Sequence, residues 1–422
     1  MKKLIIKNGD IADVENEKII KADIYCENGI IKQIGINLDD EDAEVIDATG
    51  LVVAPGLIDG HVHFRDPGLT YKEDIYTGAA AAKKGGFTTV IMMANTKPPI
   101  DTVETLKYCL DKGKETDINV LSAACITKGM QGKELTDFEG LLNAGATGLT
   151  DDGLPILDTD TVKDAMIKAR ELGTILSFHE ENPAFINNNG VNHGAASEHY
   201  GIGGSDRQAE IDMIDRDIKL AIETGASINV QHISSKEGVE LVRNGKKQSP
   251  GIHAEATPHH FTLTEEACIK HGTLAKMNPP LRTEEDRKAI VEGLKDGTID
   301  MIATDHAPHS DEEKAKAITE APSGIIGLET SLSLAITTLV HKDGLPLPLV
   351  IKRMTKGPAD AYGLKTGVIK EGYPADFCIF SETEQTTFDS FISKANNSPF
   401  TGENLDGKIH YTIAGGNVVW KA

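Results

Sequence analysis

The chain has 422 residues, 39% of them hydrophobic, which is more than one compact core usually organises and points to a large domain with a smaller companion. Its formal net charge of −22 repels phosphate backbones and anionic lipid surfaces, which argues against nucleic-acid and membrane partners. Five scattered cysteines without a CxxC pair argue against a disulfide framework or a zinc ribbon and read as buried thiols of a cytoplasmic protein.

The N-terminus begins MKKLIIKNGDIADV, where the apolar run is too short for a signal-peptide core or a membrane span. LIIKNGDIADV, KADIYCENGIIKQIG and EVIDATGLVVAPG alternate apolar and polar residues and carry Asn-Gly, Asn-Gly and Thr-Gly turn signals, an antiparallel β pattern. GVIKEGYPADFCIF and IHYTIAGGNVVWK repeat that texture at the other end, so residues 1–53 and 367–422 are expected to join in one small β-sandwich domain. Between them, residues 54–366 alternate apolar runs such as FTTVIMMAN, TILSFHEEN and SINVQHIS with helical patterns such as DTDTVKDAMIKARELG and TEEDRKAIVEGLKDG. Eight such units predict an α/β fold, a (β/α)₈ TIM-like barrel. Most of the apolar runs end in His, Asp, Asn or Glu, and in a barrel that edge is the active-site face.

His61 and His63 in DGHVHFRDPG are two apart on a strand, so their imidazoles point to one side and can converge on one ion. Asp152 in LTDDG, His179 in LSFHEE, His232 in NVQHIS and Asp305 in IATDHAP arrive on further strand ends. Four histidines and two carboxylates suffice for two divalent ions, and the ligand set suits Zn²⁺, although Mn²⁺, Co²⁺ or Fe²⁺ use the same donors. Two such ions share a water, lower its pKa and polarise a carbonyl, which predicts metal-assisted attack on an amide-like carbon. His253, His271 and His341 fall in predicted loops or helices and are left out of the site. The Asn-, Gly- and Ser-rich stretch 183–207 reads as a mobile surface segment near it.

DGHVHFRDPG, ANTKP, TDDG, KMNPPLR and ATDHAPHS followed by APSGIIGLE, in this order, resemble the amidohydrolase superfamily and, within it, the dihydroorotases of the longer bacterial class. The likeness runs along essentially the whole chain. It implies a metallo-dependent hydrolase barrel that reversibly cyclises N-carbamoyl-L-aspartate to L-dihydroorotate in pyrimidine biosynthesis, with two zinc ions per subunit. By the same resemblance His61, His63 and Asp305 hold the first ion, His179 and His232 the second, and Asp152 rather than Asp151 bridges them, where hydantoinases use a carbamylated lysine. Asp305 would also act as general acid and base. For the substrate, the resemblance implies Asn95, Asn278, His309 and the backbone of Ser323 and Gly324. Arg65, two residues past the His-x-His pair, offers a planar clamp for a carboxylate. A homodimer is implied, and association with an aspartate transcarbamoylase is left open. Two rivals remain: a dihydropyrimidinase, hydantoinase or allantoinase acting on neutral rings, and an inactive dihydroorotase-like scaffold.

Overall fold

The alternation at the N-terminus makes five strands, β1 (Lys3–Asp13), β2 (Lys18–Glu27), β3 (Ile30–Gly35), β4 (Glu44–Asp47) and β5 (Val52–Pro55), in a computed structural model that describes residues 2–422. Asn28 and Gly29, both at positive φ, close the β2–β3 hairpin in two residues, as an Asn-Gly pair should. The Asn8-Gly9 pair, read as a turn signal, instead forms a bulge inside β1. The ladder to β2 shifts between Ile6 and Gly9, and Asn8 takes a φ of 62°. A side chain at Gly9 would meet Val53 Cγ2 at 2.5 Å, so the close approach of β5 accounts for the glycine.

The barrel strands follow: β6 (Leu57–Val62), β7 (Phe87–Met92), β8 (Asn119–Ser122), β9 (Leu149–Thr150), β10 (Ile175–Phe178), β11 (Ser227–Val230), β12 (Ile252–Ala256) and β13 (Met301–Ile302). They pair in parallel as two arcs, β6-β7-β8 and β9 to β13. Parallel bridges Ala124–Leu149 and Val62–His306 join the arcs at both seams and close the eight-stranded barrel. β6, β7 and β10 are buried along their whole length because helices cover the outside and side chains fill the inside, which is why they read as unbroken apolar runs. Helix Thr159–Leu172 starts where Asp158 accepts from the Thr161 N–H and stops at left-handed Gly173. Helix Glu284–Asp296 opens with a Thr283/Asp286 capping box and stops at Gly297. His253, expected in a loop or helix, lies in β12 with its Nδ1 3.6 Å from Asp300.

β14 (Phe377–Thr387), β15 (Asn404–Ala414) and β16 (Asn417–Lys421) return to the N-terminal strands. The order β16-β15-β14-β5-β1-β2-β3, with β4 beside β1, makes one eight-stranded sheet from both termini, with its own apolar cluster around Leu4, Ile6, Ile24, Phe377 and Ile379. All five cysteines are free and buried. No helix among the described residues is long and apolar enough to cross a membrane.

The 183–207 stretch is a surface segment near the site, as read, over residues 183–189 and around His193 and His199, but not throughout. Val191, Asn192, Ala196, Ser197 and Ser205 are buried, and Ala195–Tyr200 is helical. Its buried Asn192 finds partners inside the protein, donating to Glu265 at 3.0 Å and accepting from Arg282 at 3.0 Å. Composition alone could not reveal that its polarity is satisfied internally.

Candidate metal centre

The C-terminal ends of the barrel strands carry the chemistry. His61 is near the end of β6 and His63 just past it, while Asp152, His179, His232 and Asp305 follow β9, β10, β11 and β13. They form two buried groups that share Asp152, namely His61, His63 and Asp152, and Asp152, His179 and His232. Asp152 Oδ2 lies 3.6 Å from His61 Nε2 and 3.4 Å from His63 Nε2, and Asp305 Oδ1 lies 3.5 and 2.9 Å from the same two nitrogens. The other Asp152 oxygen, Oδ1, is 3.7 Å from His179 Nδ1 and 3.8 Å from His232 Nε2, which are themselves 2.9 Å apart. Donor atoms about 2.0–2.1 Å from one tetrahedral ion sit roughly 3.3 Å from each other, so both groups have the spacing of a ligand shell. Each Asp152 oxygen faces one group.

Hydrogen bonds behind the ligands aim their lone pairs into these groups. His61 Nδ1 is 2.6 Å from Glu255 Oε1, which fixes the proton there and leaves buried Nε2 with no hydrogen-bond partner. An orphaned buried imidazole nitrogen facing two carboxylates is what a metal ligand looks like without its ion. His63 Nδ1 pairs with Asn95 Oδ1 at 2.9 Å, and His179 Nε2 with Glu181 Oε2 at 3.0 Å, so these rings present Nε2 and Nδ1 respectively. Burial alone would raise the Asp305 carboxyl, but its hydrogen bond with His63 and the surrounding histidines outweigh that and hold it below its ordinary range. It stands ready as a carboxylate.

Asp151 and Asp152, adjacent in sequence, face opposite ways. Asp151 accepts from the backbone N–H groups of Ile126 and Thr127, fixing the loop after β8. Burial pushes its carboxyl up to about 6, partly offset by those hydrogen bonds. Only Asp152 reaches the histidines.

A cavity of about 190 Å³ opens on these groups, below the ~300–1,000 Å³ of sites for drug-sized ligands. His63, Asp152, His179, His232, Asp305, Arg65, Asn95, Asn278, His309, Ser323 and Gly324 all line it, and His61 lies buried behind. The Asn95 amide is tied to the ligands, since its nitrogen is also 3.3 Å from Asp152 Oδ2. Gly324 has its polar groups committed, the N–H to Lys276 O and the C=O to Lys314 and Asn397, so of that pair the Ser323 carbonyl is the group turned to His309. Gly190, from the 183–207 stretch, packs so closely that a Cβ there would meet Ser323 Oγ at 2.2 Å. Arg65, His232 and Asp305 sit at positive φ of 60°, 32° and 47°, strain of the kind that concentrates at functional sites.

Sequence reasoning missed three supporting residues. Glu255 lies within β12, where an isolated strand carboxylate gives no sign that it reaches His61. Glu181 follows His179 by two residues in HEE and could have been suspected from that spacing. Asn397 lies far along the chain in a polar loop, yet it accepts from His309 N and donates to the carbonyls of Ala307 and Gly324.

A family model described as dihydro-orotase-like matches residues 50–238. Dihydroorotases of Clostridioides difficile and Clostridium acetobutylicum are 53% and 51% identical over 420 and 421 residues, covering 99% of this chain and 100% and 99% of theirs. Among solved structures, an L-hydantoinase (dihydropyrimidinase) from Arthrobacter aurescens superposes with a TM-score of 0.88 at 26% identity, covering 100% of this chain and 96% of its own. A D-hydantoinase (dihydropyrimidinase) from a Thermus species gives 0.85, also at 26% identity, covering 99% and 95%.

Proposed function

The chain belongs to the dihydroorotase family of cyclic amidohydrolases, and we propose that its barrel mouth interconverts N-carbamoyl-L-aspartate and L-dihydroorotate using two zinc ions held by the groups that share Asp152. The observation that carries this reading is the pairing of that shared aspartate with Arg65 in one small cavity: a two-ion donor set beside a fixed cation. His61, His63 and Asp305 would hold one ion and His179 and His232 the other, with Asp152 between them. Such ions supply an activated water and a polarised carbonyl when bound.

The chain's own residues do the rest. Arg65 pairs with the ring carboxylate, and His309 Nε2–H and the Asn278 amide hold that group against the ring. Asn95 keeps His63 turned towards Asp305 and Asp152. In ring opening, Asp305 accepts the proton released by the attacking water and delivers it to the departing ring nitrogen. In ring closure the proton travels the other way. A carboxylate held below its ordinary pKa range is in the form needed to accept that first proton.

A neutral-ring activity is the second reading, because the superposing structures are hydantoinases. Arg65 argues against it, since a half-buried guanidinium facing a neutral substrate would lack an anionic partner. The test is turnover of L-dihydroorotate, N-carbamoyl-L-aspartate, dihydrouracil, hydantoin and allantoin by zinc-loaded protein. Interconversion of the first two alone is expected. Opening of a neutral ring would overturn the role of Arg65, and no reaction despite bound zinc would favour an inactive scaffold.

A further inference from the structure

His309 sits between two groups that each have a single hydrogen-bonding role. Lys72 Nζ lies 3.1 Å from His309 Nδ1, and an ammonium has three donors and no lone pair, so Nδ1 must accept. On the other side His309 Nε2 lies 2.9 Å from the Ser323 carbonyl, which can only accept, so Nε2 must carry the proton. Glu313 Oε2, 3.7 Å from Nδ1, would draw a proton there, so the Nε2–H tautomer holds only while Lys72 covers Nδ1.

We propose that Lys72 is a positioning residue for the reaction: its ammonium caps His309 Nδ1 and locks the Nε2–H tautomer, so that the ring presents a neutral N–H donor, shared with the Ser323 carbonyl, to the substrate carboxylate beside Arg65. This rests on the dihydroorotase reading above. Lys72 is only 8% exposed, an expensive place for an amine unless it has partners. Glu313 Oε1 lies 2.9 Å from its nitrogen and also accepts from the Tyr71 hydroxyl at 3.1 Å, while Glu313 Oε2 accepts from the Ser310 N–H. That chain of contacts fixes the ammonium where His309 needs it. Burial, followed by the charges of Arg65, Lys72 and Lys314, pushes His309 down to about 2, which agrees with a neutral ring.

The arrangement also explains how Arg65 stays available. Its NH2 group lies 3.5 Å from His309 Nε2, but a guanidinium cannot donate to a nitrogen that already carries a proton. The group is therefore left for an anion. In the opposite tautomer His309 would turn a lone pair towards the carboxylate and repel it.

The experiment is two-bond ¹H–¹⁵N correlation of histidine-labelled, metal-loaded protein at pH 7, with the His309 signals assigned by their loss in His309→Gln. It is read together with steady-state kinetics of Lys72→Met and Lys72→Arg. The wild type should show His309 as the neutral Nε2–H form. Lys72→Met should let the proton move to Nδ1, towards Glu313 Oε2 at 3.7 Å, and raise KM for L-dihydroorotate about tenfold or more, with kcat within about threefold. Lys72→Arg, still a donor without a lone pair, should recover most of the KM and the wild-type tautomer. An Nδ1–H ring in the wild type would overturn the proposal, as would a Lys72→Met protein with unchanged tautomer and KM. If Lys72→Met does not fold, Lys72→Gln takes its place, because an amide can accept from Nδ1 as well as donate to it, and the same tautomer change and raised KM are expected. The spectrum needs no turnover, so a wild-type protein that fails to open L-dihydroorotate would sink the functional reading separately.

Discussion

At the barrel mouth the buried residues are His61, Glu255, Asp152 and Asp305, within a few ångström of one another, whereas in the terminal sheet they are Leu4, Ile6, Ile24, Phe377 and Ile379. The first set carries desolvated charge that stabilises the fold only while every partner is in place. The second contributes by removing apolar surface from water, which needs no partner of particular identity. Damage at the mouth should therefore appear in chemistry, and damage in the sheet in stability.

The largest expected separation comes from Asp305→Ala. It should lower kcat about 10³-fold or more while the protein still folds, because the group acts on the reacting proton and the apolar core is untouched. Paired kinetics and thermal melting check this, and a variant that unfolds instead would erase the contrast between the regions. Phe377→Ala gives the mirror image. Losing a fully buried aromatic should cost about 3–5 kcal/mol in denaturant unfolding with kcat of the folded fraction unchanged.

Glu255→Gln probes the support behind the ligands. It removes the carboxylate that holds the His61 Nδ1 proton, and zinc affinity measured by competition with a chelator should fall about 10- to 100-fold. The smallest effect concerns Lys314, which donates to the carbonyls of Pro322 and Gly324 behind the cavity. Burial, then the charge of Lys276, pushes its ammonium down to about 7 from the ordinary 10.5. Between those values the unfolded chain binds the proton that the folded chain has released, so this group's contribution to stability rises with pH from about 7 to 10.5. Relative to Lys314→Met, wild-type stability should thus gain on the order of 1–2 kcal/mol between pH 7 and 9, measured by chemical denaturation. No change in that difference would place the lysine outside the buried interior.

How legible each region was in the sequence follows from the same contrast. Strands β6 and β10 declared themselves as apolar runs meeting His61, His63 and His179 at one edge, because they are buried along their whole length. His61 and His63 were readable as a pair because a spacing of two fixes their side of the strand. The helix ends at Asp158, Gly173, Thr283 and Gly297 were readable because capping is local. Glu255 and Asn397 were not, since their roles depend on groups at 2.6 Å and 3.0–3.1 Å that are 194 and 73–90 residues away in the chain. Asn8-Gly9 misled because a positive φ serves a bulge as well as a turn. The 183–207 stretch was read as surface, which holds for His193 and His199 but not for Asn192, Ser197 and Ser205, because Asn and Ser look solvated until their internal partners are seen.

The most direct test of the account is to strip the protein of metal, restore Zn²⁺ stepwise and follow the opening of L-dihydroorotate. No turnover in the stripped protein, with activity returning as zinc approaches two per chain, is the result the shared-Asp152 centre requires. Stripped protein that opens L-dihydroorotate as fast as the reconstituted form would contradict it.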